Sequence, residues 1–70
     1  MIDTSRAVRF TYTNNRGQTL VRRVIPLGIA FDHNEWNPEP QWLLSGWDLD
    51  REAIRVFAIK LIKDWTPDPH

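Results

Sequence analysis

The chain has 70 residues, no cysteine, and nine basic residues balanced by nine acidic ones. Its length predicts one small domain, which would bury only about 60 % of the surface that its unfolded chain exposes. The absence of cysteine excludes a disulfide-stabilised scaffold and favours the reducing cytoplasm. The zero net charge disfavours strong sequence-independent binding to duplex nucleic acid. There is no signal peptide or apolar run long enough to span a membrane, so no membrane partner is expected.

The positive charges are nevertheless unevenly distributed along the chain. The first third contains a single acid, Asp3, and five arginines: Arg6, Arg9, Arg16, Arg22 and Arg23. A fold that brings these arginines onto one surface would create a local basic patch in a neutral protein. The alternative is a mixed, solvated surface without a binding role.

The N-terminal half predicts three strands. Apolar and polar residues alternate over 7–13, and a second strand over 19–26 follows the turn sequence "NNRGQ", which indicates a hairpin. Proline has no N–H to donate to a sheet, so Pro26 is predicted to end the second strand, and a third strand is predicted over 27–32.

The C-terminal half predicts two more strands. A polar loop with two prolines precedes a fourth strand over 41–48, and a fifth follows over 53–59. One helical turn is predicted within 60–65, and 66–70 is expected to be a flexible tail. Five short strands with little helix indicate a mainly β fold, either a strongly bent antiparallel sheet or a partly open barrel.

The predicted fourth and fifth strands are apolar on both faces, which is typical of strands that are covered on both sides. The second cover could be the tail, through Leu61, Ile62 and Trp65, or another copy of the protein. A homodimer is therefore predicted, because burial against a second copy would add stability to so short a chain.

Two tryptophans in "QWLLSGWD" lie on opposite faces if this segment is extended. Trp42 shares a face with Leu44 and is predicted to lie in the core together with Phe10 and Phe57. Trp47 is predicted to be at least partly exposed on the other face, near Arg55 or Tyr12.

The order of these segments resembles the WYL domain, a family found mostly in bacterial transcription regulators. The resemblance covers residues 6–62 and rests on "RRVIPLGI", "QWLLSGWD" and "IRVFAIKLI". Arg22 matches the arginine four residues before a proline, Trp42 and Leu44 match the first and last letters of the naming triplet, and Trp47-Asp48 matches an aromatic residue followed by Asp. Arg55 and Phe57 match the "R-x-F" segment.

The resemblance implies a small SH3-like or Sm-like five-stranded antiparallel barrel with a ligand-sensing role in regulation. Single-stranded DNA or a nucleotide is the ligand that it implies for some members. Two positions depart from the family pattern: Leu43 replaces the naming tyrosine, and Leu61 stands where a second arginine is usual. A helix-turn-helix commonly accompanies the domain, and the chain is expected to be a stand-alone domain without one.

The predicted ligand site combines aromatic rings with arginines. Bases stack on exposed aromatic faces and arginines bind phosphates, and Tyr12, Arg22, Trp47 and Arg55 could supply both. The alternatives are that the aromatic residues belong to the core and that Arg55 pairs with an acid such as Asp48. Trp36, in the polar loop, is either an exposed contact point or a lid over one end of the barrel.

Catalysis and metal binding have little support in the sequence. His33 has no second histidine or cysteine at ligand spacing, and neither Ser5 nor Ser45 lies beside a base or within a nucleophile-elbow motif. No enzyme activity, cofactor or metal is therefore expected. The leading function is a sensor of a nucleotide or single-stranded nucleic acid, and the alternative is a protein-interaction or self-assembly module.

Overall fold

The computed structural model describes residues 4–68 and shows a single five-stranded antiparallel sheet. Its strands, β1 to β5 in chain order, lie in the order β4-β3-β2-β1-β5 across the sheet. Short 3-10 turns are found at Thr4–Arg6 and between β4 and β5 at Ile59–Leu61, and neither is long and apolar enough to cross a membrane. The strands are β1 (Val8–Thr13), β2 (Thr19–Asp32), β3 (Gln41–Asp48), β4 (Ala53–Ala58) and β5 (Ile62–Pro67).

The mainly β, antiparallel fold with five strands is confirmed, but the sheet is not closed into a barrel. Within residues 4–68, β4 and β5 each pair on one side only and form the two edges. Phe10 of β1 and Phe57 of β4 are in contact although β2 and β3 lie between their strands, so the sheet is curved and its concave face carries the core.

The predicted end of a strand at Pro26 is wrong, because 19–26 and 27–32 belong to one continuous strand, β2. Pro26 lies opposite Gly46 and Gly28 lies opposite Ser45, which leaves Leu27 as an extra residue in a β-bulge. A bulge inserts one unpaired residue and bends the strand. The missing N–H of the proline is thereby accommodated at a bend instead of ending the strand.

The predicted C-terminal helical turn is confirmed as a 3-10 turn, but the rest of 60–65 and the free tail predicted from 66 are corrected by the structure. The 3-10 turn lies at Ile59–Leu61, and β5 then pairs with β1, with Pro67 opposite Val8. The Asp68 N–H donates to the carbonyl oxygen of Ala7 at 3.0 Å. The chain is anchored through Asp68 because β1 offers it an unpaired edge, while residues 69–70 lie outside the described part.

The core is a cluster of aromatic and aliphatic side chains on the concave face. Phe10 is only 1 % exposed, with its ring centroid 5.2 Å from that of Phe57 in an edge-to-face contact. Trp65 of β5 stacks on the other side of Phe10, with centroids 5.6 Å apart and nearly parallel rings. The tail therefore covers the core itself rather than the second face of β3 and β4. The buried members are Phe10, Tyr12, Val24, Leu44 and Phe57.

The prediction that Trp42 lies in the core is wrong. Trp42 is 55 % exposed and makes an edge-to-face contact with Phe31, which is itself 60 % exposed. The pairing of β3 with β4 begins only at Leu43, so Trp42 lies on a two-stranded arm beyond the end of the core. It lies on the same face as buried Leu44, as alternation requires, but nothing among residues 4–68 covers it fully.

Gly46 marks a close approach between β3 and β2. A Cβ atom built at this position would overlap Cγ1 of Val24, a side chain that is fully buried, and would lie 3.1 Å from the carbonyl oxygen of Ile25. Gly46→Ala is expected to lower the free energy of unfolding by about 1–3 kcal/mol, because overpacking forces the neighbours to move. Urea denaturation measures the change, and Gly28→Ala, where a Cβ meets nothing within 4 Å, is the control. Equal stability of the two variants would contradict the tight contact.

Candidate ligand-binding groove

An open groove of about 380 Å³ lies along β4. Its walls are β4, the turn between β1 and β2, and the loop between β2 and β3. We call it the arginine groove. It is lined by Tyr12, Asn14, Asn15, Arg16, Gln18, Arg22, Trp36, Asn37, Arg55, Val56 and Phe57.

The β1–β2 turn forms one wall and is shaped by its own polar side chains. The Asn14 carboxamide oxygen accepts hydrogen bonds from the backbone N–H of Arg16 at 2.9 Å and of Gln18 at 3.0 Å. Gly17 adopts a φ of 78°, a left-handed conformation that glycine adopts without steric cost. These bonds hold the turn in a compact form and place Arg16 beside the groove.

The β2–β3 loop forms the opposite wall and is ordered by Asn34. Its carboxamide oxygen accepts from the backbone N–H of Trp36 at 2.9 Å and of Asn37 at 2.7 Å. The Asn15 side chain donates to the carbonyl oxygen of Trp36, which joins this loop to the β1–β2 turn. The indole of Trp36 is 64 % exposed, so the structure favours an exposed contact residue over a closed lid.

Arg22 is held at the base of the groove by a buried carboxylate. Its Nη1 lies 3.5 Å from Oδ2 of Asp48, and the Asp48 side chain is completely buried. The other carboxylate oxygen of Asp48 accepts from the backbone N–H of Asp50 at 3.0 Å and of Arg51 at 3.1 Å. Asp48 therefore links the groove to the turn between β3 and β4. The Arg22 Nε is buried without a hydrogen-bond partner among residues 4–68, so the guanidinium keeps a free donor.

The charged residues among 4–68 that line the groove are all basic. They are Arg16, Arg22 and Arg55, and the charge of Arg22 is balanced by the buried Asp48 behind the lining. Asp48 pairs with Arg22 and not with Arg55, which forms no salt bridge within the described chain. Local positive potential in a protein of zero net charge fits an anionic ligand.

The structure brings three of the four predicted ligand residues together. Tyr12, Arg22 and Arg55 all line the arginine groove. Tyr12 is 7 % exposed and its hydroxyl accepts a hydrogen bond from the Ala58 N–H at 2.9 Å, so it is mainly a core residue. Trp47 is half-buried and does not line the groove, because it points to the opposite face of the sheet from Arg22 and Arg55.

Eight of the groove residues were absent from the predicted ligand set, among them Asn15, Arg16 and Trp36. A tryptophan in a polar, proline-containing loop was the available signal for Trp36, since such a residue has no strand on which to be buried. Nothing in the spacing of Asn15 and Arg16 indicates that their turn meets a loop 21 residues away in the chain.

Arg23 follows Arg22 in β2 but lies on the other face and takes part in a separate network. It contacts Asp68 at 3.2 Å and Asp50 at 3.1 Å. The pKa of Arg23 is raised above its ordinary value, chiefly by its hydrogen bond to Asp68. An arginine with a raised pKa loses its charge only at very alkaline pH, so Arg23 carries its charge at neutral pH.

The family model of the WYL domain matches residues 1–67. The chain belongs to the WYL domain family. It is also similar to a solved structure, the proteasome accessory factor B/C (PafBC) of Arthrobacter aurescens, with 31 % sequence identity and a TM-score of 0.65. The similarity covers 87 % of this chain and only 9 % of that one. A search of curated proteins found no significant match.

The two departures from the WYL pattern have different positions in this domain. Leu43 is buried, at 6 % exposure, and does not line the arginine groove. Leu61 is partly buried against the core and lines a smaller neighbouring cavity of about 280 Å³. Position 61, where an arginine is usual in the WYL pattern, therefore lines this smaller cavity together with Trp36 and does not line the arginine groove.

Proposed function

We propose that this WYL domain is a non-catalytic, ligand-sensing module of a regulatory system. Its ligand is a nucleotide or a short single-stranded nucleic acid, bound in the arginine groove. The observation that carries the proposal is the convergence of Arg16, Arg22 and Arg55 with the exposed ring of Trp36 in a groove that no carboxylate of residues 4–68 lines. The occurrence of WYL domains in bacterial transcription regulators supports the regulatory role.

The proposed binding mode follows from the chemistry of the groove walls. The guanidinium groups contact phosphate oxygens, and a base stacks on the exposed face of Trp36. The volume of the groove, about 380 Å³, lies within the range of small-ligand sites. Arg22 is held in place by Asp48 before a ligand arrives, so ordering its side chain costs little on binding.

A titration of fluorescently labelled single-stranded DNA tests the proposal by anisotropy. Arg55→Ala is expected to weaken binding and to reduce the slope of log affinity against log salt by about 0.7, the value for one phosphate contact on a single strand. Trp36→Ala is expected to cost about 1–3 kcal/mol of binding free energy, because stacking on the indole is lost.

Arg9→Ala is the matched control for Arg55→Ala. Arg9 is exposed on β1, lies on the opposite face from the core residue Phe10, and does not line the groove. Its replacement removes the same charge from the protein but should change affinity only slightly. If Arg9→Ala weakens binding as much as Arg55→Ala does, the DNA is attracted by the positive charges of the protein in general, and the groove is not the binding site.

A second function, a protein-interaction or self-assembly module, is favoured by a different observation. Leu27, Ile54 and Val56 are exposed by 59 %, 62 % and 40 %, and they lie near half-buried Trp47 on the convex face. Exposed apolar patches of this kind commonly mark protein contacts. A homodimer through this face is a proposal that sedimentation at high concentration would test.

A further inference from the structure

The outer edge of β4 presents unpaired backbone groups beside the arginine groove. The direction of these groups follows from β3. The backbone N–H of Leu49, just after β3, donates to the Arg23 carbonyl of β2 at 2.9 Å. Backbone groups alternate in direction along a strand, so Asp48, Gly46 and Leu44 direct theirs away from β2 and towards β4.

The partners of those residues fix the geometry of β4. Gly46 and Leu44 lie opposite Arg55 and Phe57, whose N–H and C=O groups are therefore used in the ladder with β3. Ile54, Val56 and Ala58 lie between them in sequence and direct their backbone groups outward. The hydrogen bond from the Ala58 N–H to the Tyr12 hydroxyl, at 2.9 Å, agrees with this assignment.

The outward N–H of Ala58 thus has a hydrogen-bond partner in Tyr12, whereas those of Ile54 and Val56 have none among residues 4–68. Within residues 4–68, no hydrogen bond reaches the outward N–H or C=O of either residue, because β4 pairs only with β3. Val56 also lines the arginine groove. An unpaired strand edge therefore runs along one wall of the proposed ligand site.

The two edges of the sheet differ in how they are protected against pairing. In β5, the register shifts where it pairs with β1, Asp64 adopts a φ of 58°, and Pro67 has no N–H to donate. These are the devices by which proteins prevent the addition of a strand. β4 pairs with β3 in continuous register from Ala53 to Ala58 and contains neither proline nor lysine. Its one charged residue, Arg55, lies on the concave face and disfavours an apolar or basic added strand, so the edge is open to an acidic partner strand.

Side chains on β4 determine which partner strand would fit. Ile54 and Val56 are exposed on the convex face, while Arg55 lies on the concave face with Arg16 and Arg22 in the same groove. A strand added to this edge alternates its own side chains between the same two faces. Its convex side chains would contact apolar residues, and its concave side chains would contact arginines.

We propose that the β4 edge binds an extended peptide in which acidic and apolar residues alternate. The peptide adds a sixth strand, with main-chain hydrogen bonds to Ile54 and Val56, its carboxylates beside Arg22 and Arg55, and its apolar side chains on Ile54 and Val56. A second copy of β4 does not meet these requirements, because self-pairing would bring two arginine grooves against each other.

This inference concerns a protein partner and does not depend on the proposed nucleotide ligand. Because Arg55 and Val56 belong to both sites, the peptide and a groove ligand would compete. A ligand in the groove would then release the bound segment, which would give a sensing domain a means to transmit its signal.

Amide hydrogen exchange of the whole 70-residue chain, followed by NMR, tests the inference directly. The probe is a synthetic six-residue peptide that alternates glutamate and valine, and the control peptide replaces each glutamate with lysine. Saturating Glu-Val peptide is expected to slow exchange of the Ile54 and Val56 amides by about tenfold or more, because both become hydrogen-bonded. The Arg55 and Phe57 amides, already paired with β3, should change much less. Binding that leaves Ile54 and Val56 unprotected would overturn the inference, as would equal binding of the lysine peptide.

Val56→Pro provides a second test that retains the native ladder. The Val56 N–H points outward, so proline at this position removes no bond to β3 and is compatible with an edge strand. The variant is expected to lower the affinity for the Glu-Val peptide by about five- to tenfold, because one main-chain hydrogen bond is lost. If single-stranded DNA binds the wild type and the Glu-Val peptide does not, the edge is not a peptide site and only the groove ligand remains.

Discussion

Replacing Phe10 with alanine is expected to lower the free energy of unfolding by about 3–5 kcal/mol, which approaches the whole stability of a small domain. Phe10 is 1 % exposed and its ring lies between Phe57 and Trp65, at centroid distances of 5.2 Å and 5.6 Å. Alanine would leave a cavity among rings that belong to three strands, and the aromatic contacts would be lost as well. Urea denaturation followed by tryptophan fluorescence measures the change.

Trp42→Ala is the matched control, since it removes a larger aromatic ring from a site that is 55 % exposed. The aromatic contact with Phe31 is lost, but more than half of the side chain is already exposed, so a change of about 1 kcal/mol or less is expected. Reversal of this order, with Trp42→Ala unfolding the protein and Phe10→Ala tolerated, would mean that the arm formed by β2 and β3 packs against something in solution.

Asp48→Ala is expected to cost about 3 kcal/mol of unfolding free energy, the lower end of the range for breaking a buried ion pair. The side chain is completely buried, pairs with Arg22, and accepts two backbone hydrogen bonds of the β3–β4 turn. Its removal leaves a guanidinium without its partner. The cost stays at the lower end because Arg22 lines an open groove and can still reach water.

Asp48→Asn separates the two roles of this side chain. Asparagine retains an oxygen that can accept from the amides of Asp50 and Arg51, but it carries no charge to pair with Arg22. Its cost should therefore lie between those of the wild type and Asp48→Ala. Asp50→Ala removes a half-exposed partner of Arg23 and is expected to cost at most about 1 kcal/mol. Equal losses for Asp48→Ala and Asp50→Ala would show that burial of the carboxylate adds nothing.

The local alternation of apolar and polar residues was sufficient to predict a strand where that strand has one buried face and pairs along its length. The strand over 41–48 was predicted with its observed bounds, and those over 7–13 and 53–59 begin or end within one residue of β1 and β4. Phe10 and Phe57 were identified as core residues because alternation places them on the buried face. Arg22 and Arg55 were identified through family resemblance, and both line the groove.

Other properties depended on contacts between segments that are distant in the chain. Whether Pro26 ends a strand or bends it is decided by the bulge opposite β3, and the tail becomes a strand only because β1 has a free edge. Trp42 and Tyr12 both follow an alternating pattern, but only Tyr12 is buried. The pairing of β4 ends before it reaches Trp42. Tyr12 instead lies against Phe10 and Phe57, and its hydroxyl accepts a hydrogen bond from the Ala58 N–H. Alternation determines the face on which a side chain lies, and only the extent of the neighbouring strands decides whether that face is covered.

For the candidate groove too, some properties followed from the sequence and others only from the tertiary structure. The amino-acid sequence alone determined that aromatic residues and arginines are present on strands of a small β domain. The meeting of the β1–β2 turn with the β2–β3 loop, through Asn15 and Trp36, joins segments 21 residues apart and followed only from the tertiary structure. This contact places Trp36 beside the arginines, because residue spacing along one strand carries no information about which loop folds back over it, whereas alternation along β3 directs Trp47 to the other face.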